Sequence, residues 1–341
     1  MGSGNVQVIQ YLVDTRPLWP KATKTKDLEN EASRALALLT DEEKTKVLRY
    51  YFVADAKMSL ASHLLKHWVV ARYAGVSWWD TKLTRDEKTK PVYVDPTTGR
   101  QPVAFNVSHQ AGLVALVAVA GYSASGEAEG EGRGGSEVDI GTDVVCTSER
   151  RTRDHRVIDT EGWAKFVDMH ADVFGRSEAR YLKGGDLLST QPGSLPSLAR
   201  AQEIVDFKLR CFYALWCLRE AYVKMTGDAL LAPWLKDLEF RRFRAPAPGT
   251  RDGFGGDGGD GGDGDGDEGR EQEVITDHEV LFRGERVTDV NICLRSLGED
   301  YMTCTAVRTP ARKEDALGWK LGPFAFLDME TVLGDAEARL G

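Results

Sequence analysis

Three short segments hold the residue types that could do chemistry together. Phe105-Asn106-Val107-Ser108-His109-Gln110-Ala111-Gly112 reads as a strand that ends in Ser-His and breaks at glycine. Such a corner presents two polar side chains and free backbone N–H groups at a sheet end, which suits a phosphate or another anion. Standing alone, the segment is explained equally well by a structural histidine with its hydrogen bonds satisfied. A Ser-His hydrolytic dyad is disfavoured, because neighbouring side chains on a strand point to opposite faces. In Ile140-Gly141-Thr142-Asp143-Val144-Val145 an acid stands within an apolar strand, where burial without a partner is costly. Asp143 is therefore expected to face a metal or a basic ligand, against the plainer reading of a pair with a structural arginine. Gly141 would let another group approach the backbone closely. In the third segment Trp216, Glu220 and Lys224 share one helix face. Its flanks Phe212, Leu215, Leu218 and Val223 are apolar, so the helix is expected to be buried on most sides. An acid and a base inside it would be held for use rather than for solubility.

The elements that must position these residues follow from periodicity. Strands are expected at 7–13, 91–94, 104–107, 113–119 and 138–145, and later at 238–242, 279–283, 290–294 and 302–307. Helices are expected at 26–39 and 41–51, from a cap at Asp55 to Gly75, at 164–173 and 176–183, and at 202–225. Two runs of helix followed by strands predict an α+β fold of two tandem similar halves, 1–137 and 138–341.

The charge of −9 over 341 residues says little about a ligand. Residues 252–273 hold ten glycines and nine acids, and residues 121–137 hold six glycines and four acids. Setting both tracts aside leaves a body of +2. Residues 121–137 read as a hairpin insertion and residues 252–273 as a disordered spacer. A calcium loop starting at Asp263 fails, because Glu268 stands where glycine is needed. No apolar run approaches the roughly 18 residues of a membrane span, and no secretory signal is apparent. Val6 argues against myristoylation. The five cysteines form no CxxC pair and read as buried free thiols of a cytoplasmic protein.

FNVSHQ, then IGTDVV, then WCLREAYVKMTG, in that order, resembles the signature segments of the 4′-phosphopantetheinyl transferases. The longer Sfp-type group fits best, in a filamentous-fungal-like form. Lys44-Thr45-Lys46 and Lys88-Thr89-Lys90-Pro91 extend the resemblance, which covers most of residues 40–240. It implies an active site in the cleft between the two halves, and transfer there of the 4′-phosphopantetheine arm of coenzyme A to a carrier-domain serine, releasing 3′,5′-ADP. The family reaction needs charge neutralised on the pyrophosphate and a base near the serine.

By the resemblance, Asp143 and Glu220 hold Mg²⁺, with Mn²⁺ as an alternative, and Glu220 is also the base. Lys224 stabilises the phosphates. Ser108 and His109 contact the phosphates of coenzyme A, and Lys46, Arg85 and Lys90 hold the 3′-phosphate end. Val145 stands where many bacterial members carry a third acid, so two protein ligands are expected. Arg219, where lysine is common, is expected to supply positive charge. The implied partners are apo acyl or peptidyl carrier domains of polyketide synthases, nonribosomal peptide synthetases, fatty acid synthase and aminoadipate reductase, docking against residues 147–168 of a monomer. Neither nucleic acid nor membrane is an expected partner. The competing readings are another coenzyme A-dependent acyltransferase with His109 as base, and a non-catalytic carrier- or coenzyme-binding protein.

Overall fold

The computed structural model describes residues 6–124, 137–185, 187, 201–228, 232–249 and 273–340. The second glycine-rich tract lies outside these residues except for Glu273, and the first overlaps them only at 121–124 and 137. The helices are α1 (Leu28–Glu31), α2 (Ser33–Ala37), α3 (Asp41–Leu48), α4 (Val53–Ala74), α5 (Arg151–Glu161), α6 (Trp163–Asp168), α7 (Arg176–Lys183), α8 (Ala201–Thr226) and α9 (Met329–Glu337). The expected helix over 26–39 breaks at Ala32, and that over 164–173 ends at Asp168. Helix α4 starts earlier than expected. Phe52 is its N-cap, and Asp55 lies in the first turn rather than at the cap. Gly75 closes it in the left-handed conformation that glycine adopts without strain.

Strands β1 (Gln7–Asp14), β4 (Val103–Gln110) and β5 (Leu113–Ala120) form an antiparallel sheet in the order β1-β5-β4. Between β1 and β4 lie the two-residue strands β2 (Thr84–Arg85) and β3 (Pro91–Val92), which pair with each other. A second sheet takes the order β6-β12-β11-β8, from Asp139–Cys146, Tyr301–Arg308, Asn291–Leu297 and Val274–Ile275. Strands β7 (Leu238–Arg241), β9 (Glu279–Phe282) and β10 (Glu285–Arg286) make a small third sheet. The tract joining β5 to β6 therefore does not close a hairpin, since the two strands belong to different sheets.

Each large sheet packs one face on a long helix. On β5, Val114, Leu116 and Ala118 join α4 residues such as Leu60, Leu64 and Val69 in one core. In the second half Met302, Cys304 and Ala306 of β12 meet Leu218, Ala221 and Met225 of α8. The opposite faces meet each other: Val117 and Val119 lie with Ile140 and Val307, and Leu113 and Ala115 with Val144 and Tyr301. That shared interior explains why every residue of β5 is buried. The alternation of a half-exposed strand is lost because both of its faces are covered.

The chain end departs from the division at residue 138. Strand β13 (Ala325–Phe326) pairs in parallel with β1, and Met329, Val332, Leu333 and Ala336 of α9 enter the core around α4. Arg34 of α2 bonds Glu330 and Glu337, and Trp68 of α4 donates to Asp335. The tail assigned to the second half is thus a structural part of the first.

Candidate active site

The site forms where β4, β6 and α8 meet. Along β6, Ile140 and Val144 point into the interior between the sheets, whereas Val145 joins the α8 core. Strand alternation places Gly141 and Asp143 on that same helix-facing side. The group that approaches Gly141 is α8 itself: a Cβ there would lie 2.1 Å from the Ala221 carbonyl oxygen and 2.3 Å from the Met225 nitrogen. Only glycine permits this backbone-on-backbone approach, which brings Glu220 and Lys224, one turn apart, beside Asp143.

Asp143 is 5% exposed. The Lys224 ammonium donates to Asp143 Oδ1 at 2.7 Å and to Ser108 Oγ at 2.9 Å, and Ser108 Oγ donates to the same Oδ1 at 2.8 Å. The costly buried acid is thereby matched, and its partner is a lysine rather than an arginine. Burial alone would lower the Lys224 ammonium, but Asp143 and Glu220 outweigh it and hold it above its ordinary value. Glu220 is pushed up to about 7, first by burial and then by Asp143, with Lys224 opposing. A carboxyl poised near neutrality can take or give a proton at physiological pH.

Strand β4 runs two residues beyond Ser108, to Gln110, and turns at Ala111-Gly112 with positive φ at both. Ser108 is buried toward β6, and His109 is exposed on the other side. Desolvation, then Lys224, lowers the His109 imidazole. Asn106 and Gln110, on the same side as Ser108, hold the two sheets in register. Asn106 Oδ1 accepts from the Thr142 N–H at 3.0 Å and Gln110 Oε1 from the Cys146 N–H at 3.3 Å. These two positioning residues were not singled out from sequence, although the period of two in FNVSHQ marks all three as sharing a face.

The expected basic residues divide into two groups. Lys46 on α3 bonds Glu42 at 2.7 Å, and Arg85 contributes to the field at Glu42. Lys66 of α4 feels both cations, and burial brings its ammonium down to about 8. It is a further basic residue that the motifs did not reveal. Arg85 also donates to the Thr89 carbonyl at 2.5 Å. Lys90 donates to the carbonyls of Ile140 at 3.0 Å and Met225 at 3.4 Å, so it also ties the β3 segment to β6 and α8. Arg85, Lys88, Lys90 and Arg308 line a cavity of about 410 Å³. Ile140 borders this cavity, and Asp143 lies three residues along β6, about 10 Å away at strand spacing.

Arg219 differs from expectation. Its side chain is fully buried, bonded to Glu178 at 2.7 Å, to the Leu238 carbonyl at 2.8 Å and to the Leu235 carbonyl. Its charge is consumed by α7 and the third sheet and does not reach Asp143.

Among the described residues, no group of three His, Cys, Asp or Glu stands together as a metal cage. A pair of carboxylates, Asp143 and Glu220, is what remains. That pair fits Mg²⁺ of the kind bound through one or two carboxylates, with water and substrate phosphates completing its shell.

Two sequence profiles match the chain: one described as the 4′-phosphopantetheinyl transferase N-terminal region over residues 25–121, the other as the 4′-phosphopantetheinyl transferase superfamily over residues 139–258. The 4′-phosphopantetheinyl transferase 1 of Fusarium mangiferae is 46% identical over 330 residues, covering 97% of this chain and 95% of that protein. The 4′-phosphopantetheinyl transferase NpgA of Emericella nidulans is 33% identical, covering 88% of this chain and 81% of that protein. The L-aminoadipate-semialdehyde dehydrogenase-phosphopantetheinyl transferase of Mus musculus is 30% identical over 115 residues, a third of each protein. The matched regions divide between β5 and β6, the second contains Asp143, Glu220 and Lys224, and the likeness extends over nearly the whole chain: the chain belongs to the 4′-phosphopantetheinyl transferase family.

Proposed function

We propose that the protein transfers the 4′-phosphopantetheine arm of coenzyme A to a serine of apo acyl or peptidyl carrier domains, releasing 3′,5′-ADP. The observation that carries this reading is the convergence of Asp143, Glu220, Lys224 and Ser108 between two sheets, in a chain of this family. Asp143 and Glu220 would hold Mg²⁺, which when bound neutralises charge on the pyrophosphate. Glu220, with a carboxyl near neutrality, would accept the proton of the incoming serine, directly or through water. Lys224 and Ser108 would bind the diphosphate oxygens, and the exposed His109 ring would contact a phosphate beside them. The basic cavity below β6 would take the nucleotide end, with Arg85 and Lys90 on its wall and Lys46 near Arg85.

Arg150, Arg151, Arg153 and Arg156 lie exposed at the start of α5, just beyond the end of β6. This arginine-rich stretch supports docking of an acidic carrier domain there. Carriers of polyketide, nonribosomal-peptide, fatty-acid and aminoadipate-reductase systems are the proposed class. One chain supplies all the named groups, in keeping with a monomer. No helix among the described residues is long and apolar enough to cross a membrane, and the five cysteines are free and buried, which supports a cytoplasmic setting.

Intact-mass spectrometry of a panel of apo-carriers incubated with the protein, coenzyme A and Mg²⁺ tests the reading. One added phosphopantetheine per carrier is expected, with loss of transfer in Asp143→Ala and Glu220→Gln. Acyl transfer instead, or full activity of either variant, would replace the reading with a different one.

A further inference from the structure

Asp143 Oδ1 is the acceptor of both short bonds in the acid cluster, one from Lys224 and one from Ser108. The Lys224 side chain is 28% exposed and that of Asp143 is 8% exposed, so the pair opens to the cleft only from the lysine side. A small hard cation would need a carboxylate oxygen at about 2.0–2.1 Å. It would then sit within a few ångströms of an ammonium bonded to that same oxygen, where like-charge repulsion is large. An ammonium held on Oδ1 therefore opposes a cation bound to either oxygen of this carboxylate.

From this geometry we infer that Lys224 is the resident counter-ion of Asp143, and that a divalent cation binds there tightly only when a diphosphate draws Lys224 away. A phosphate oxygen is the natural alternative acceptor for a lysine on a flexible stem. Cation and diphosphate then enter as a mutually supporting pair, each tightening the other by the same factor. The inference rests on the reading of Asp143 as a metal ligand, and it makes Lys224 a determinant of binding order as well as a phosphate contact.

Mn²⁺ titrated into the full-length protein, with free ion followed by electron paramagnetic resonance, tests the inference without turnover. In the absence of coenzyme A, Lys224→Met is expected to bind Mn²⁺ at least about tenfold more tightly than wild type, because a contact charge is removed. Lys224→Arg, which keeps the charge, should bind as weakly as wild type. Lys66→Met, which removes a nearby cation that does not touch Asp143, should change affinity by less than about threefold. Coenzyme A should tighten Mn²⁺ binding in wild type and do so far less in Lys224→Met. The gain should vanish in the Lys224→Met/Asp143→Asn double variant. Unchanged or weaker binding by a folded Lys224→Met protein overturns the inference, as does a gain that survives loss of Asp143. Phosphopantetheine transfer by the wild type is scored separately by mass, so the function stands or falls independently of the Mn²⁺ result.

Discussion

Gly141 and Ala221 bring strand β6 and helix α8 into backbone contact, with 2.1 Å between a Cβ built on Gly141 and the Ala221 carbonyl oxygen. Replacing Gly141 with alanine must push the helix off the strand, carrying Glu220 and Lys224 from Asp143. Overpacking of this kind costs about 1–3 kcal/mol, and backbone leaves less room to adjust than a side chain would. Urea unfolding should show a loss of about 3 kcal/mol. The loss in kcat should be larger than any rise in KM for coenzyme A. A variant of wild-type stability and rate would mean that α8 does not depend on this contact for its seat.

The Glu220 carboxyl should make stability depend on pH. Below its ordinary value of 4.5 it is protonated whether the chain is folded or not, and no charge is buried at this position. From 4.5 to about 7 the unfolded chain gives up the proton while the folded protein keeps it, so stability falls as pH rises; above about 7 the cost is complete. Glu220→Gln removes that titration. Its Tm should exceed that of wild type at pH 8, with the gap closing toward pH 4.5. Calorimetry across this range checks the sign, and a gap that widened toward acid would contradict it.

Arg219 and Glu178 form a fully buried pair, with the Phe240 N–H also donating to Glu178 at 2.7 Å. Arg219→Met strands a carboxylate in the core. Breaking such a pair costs about 3–5 kcal/mol, whereas replacing both partners by apolar groups restores much of the loss. Arg219→Met should therefore unfold at markedly lower urea, and Arg219→Met/Glu178→Leu should recover only part of the loss, because the Phe240 N–H and the Leu238 carbonyl then lose their buried partners. Affinity for coenzyme A, measured by calorimetry on the folded variants, should not change. A selective loss of that affinity would return Arg219 to the binding site.

Leu333 of α9 is 3% exposed in the core built around α4. Leu333→Ala should cost about 2–5 kcal/mol, and the loss should be local to the first half. Hydrogen exchange should rise along α4 before it rises along α8. Preferential exchange in α8 would show that the chain end supports the second half instead.

Much of the site is legible in the sequence because its residues sit in elements with strict periods. A period of two puts Ser108 and His109 on opposite faces of β4, and a period of 3.6 puts Glu220 and Lys224 on one face of α8. The cost of burying Asp143 requires a partner without saying which. What only the tertiary structure decides is how distant elements meet. Lys224 is 81 positions from Asp143 in the chain, and nothing local selects it over an arginine. Gly141 announces a close approach but not that the visitor is α8. Arg219 carries the same charge as Lys224, yet its position in the helix turns it toward Glu178, away from the acids. The tail joins the first half because β1 has a free edge and α4 an apolar face there, both assembled from residues far earlier in the chain. The sequence by itself determines local period, charge and the need for a partner; long-range packing chooses the partner, because contacts between remote elements depend on which faces are left uncovered once the sheets have formed.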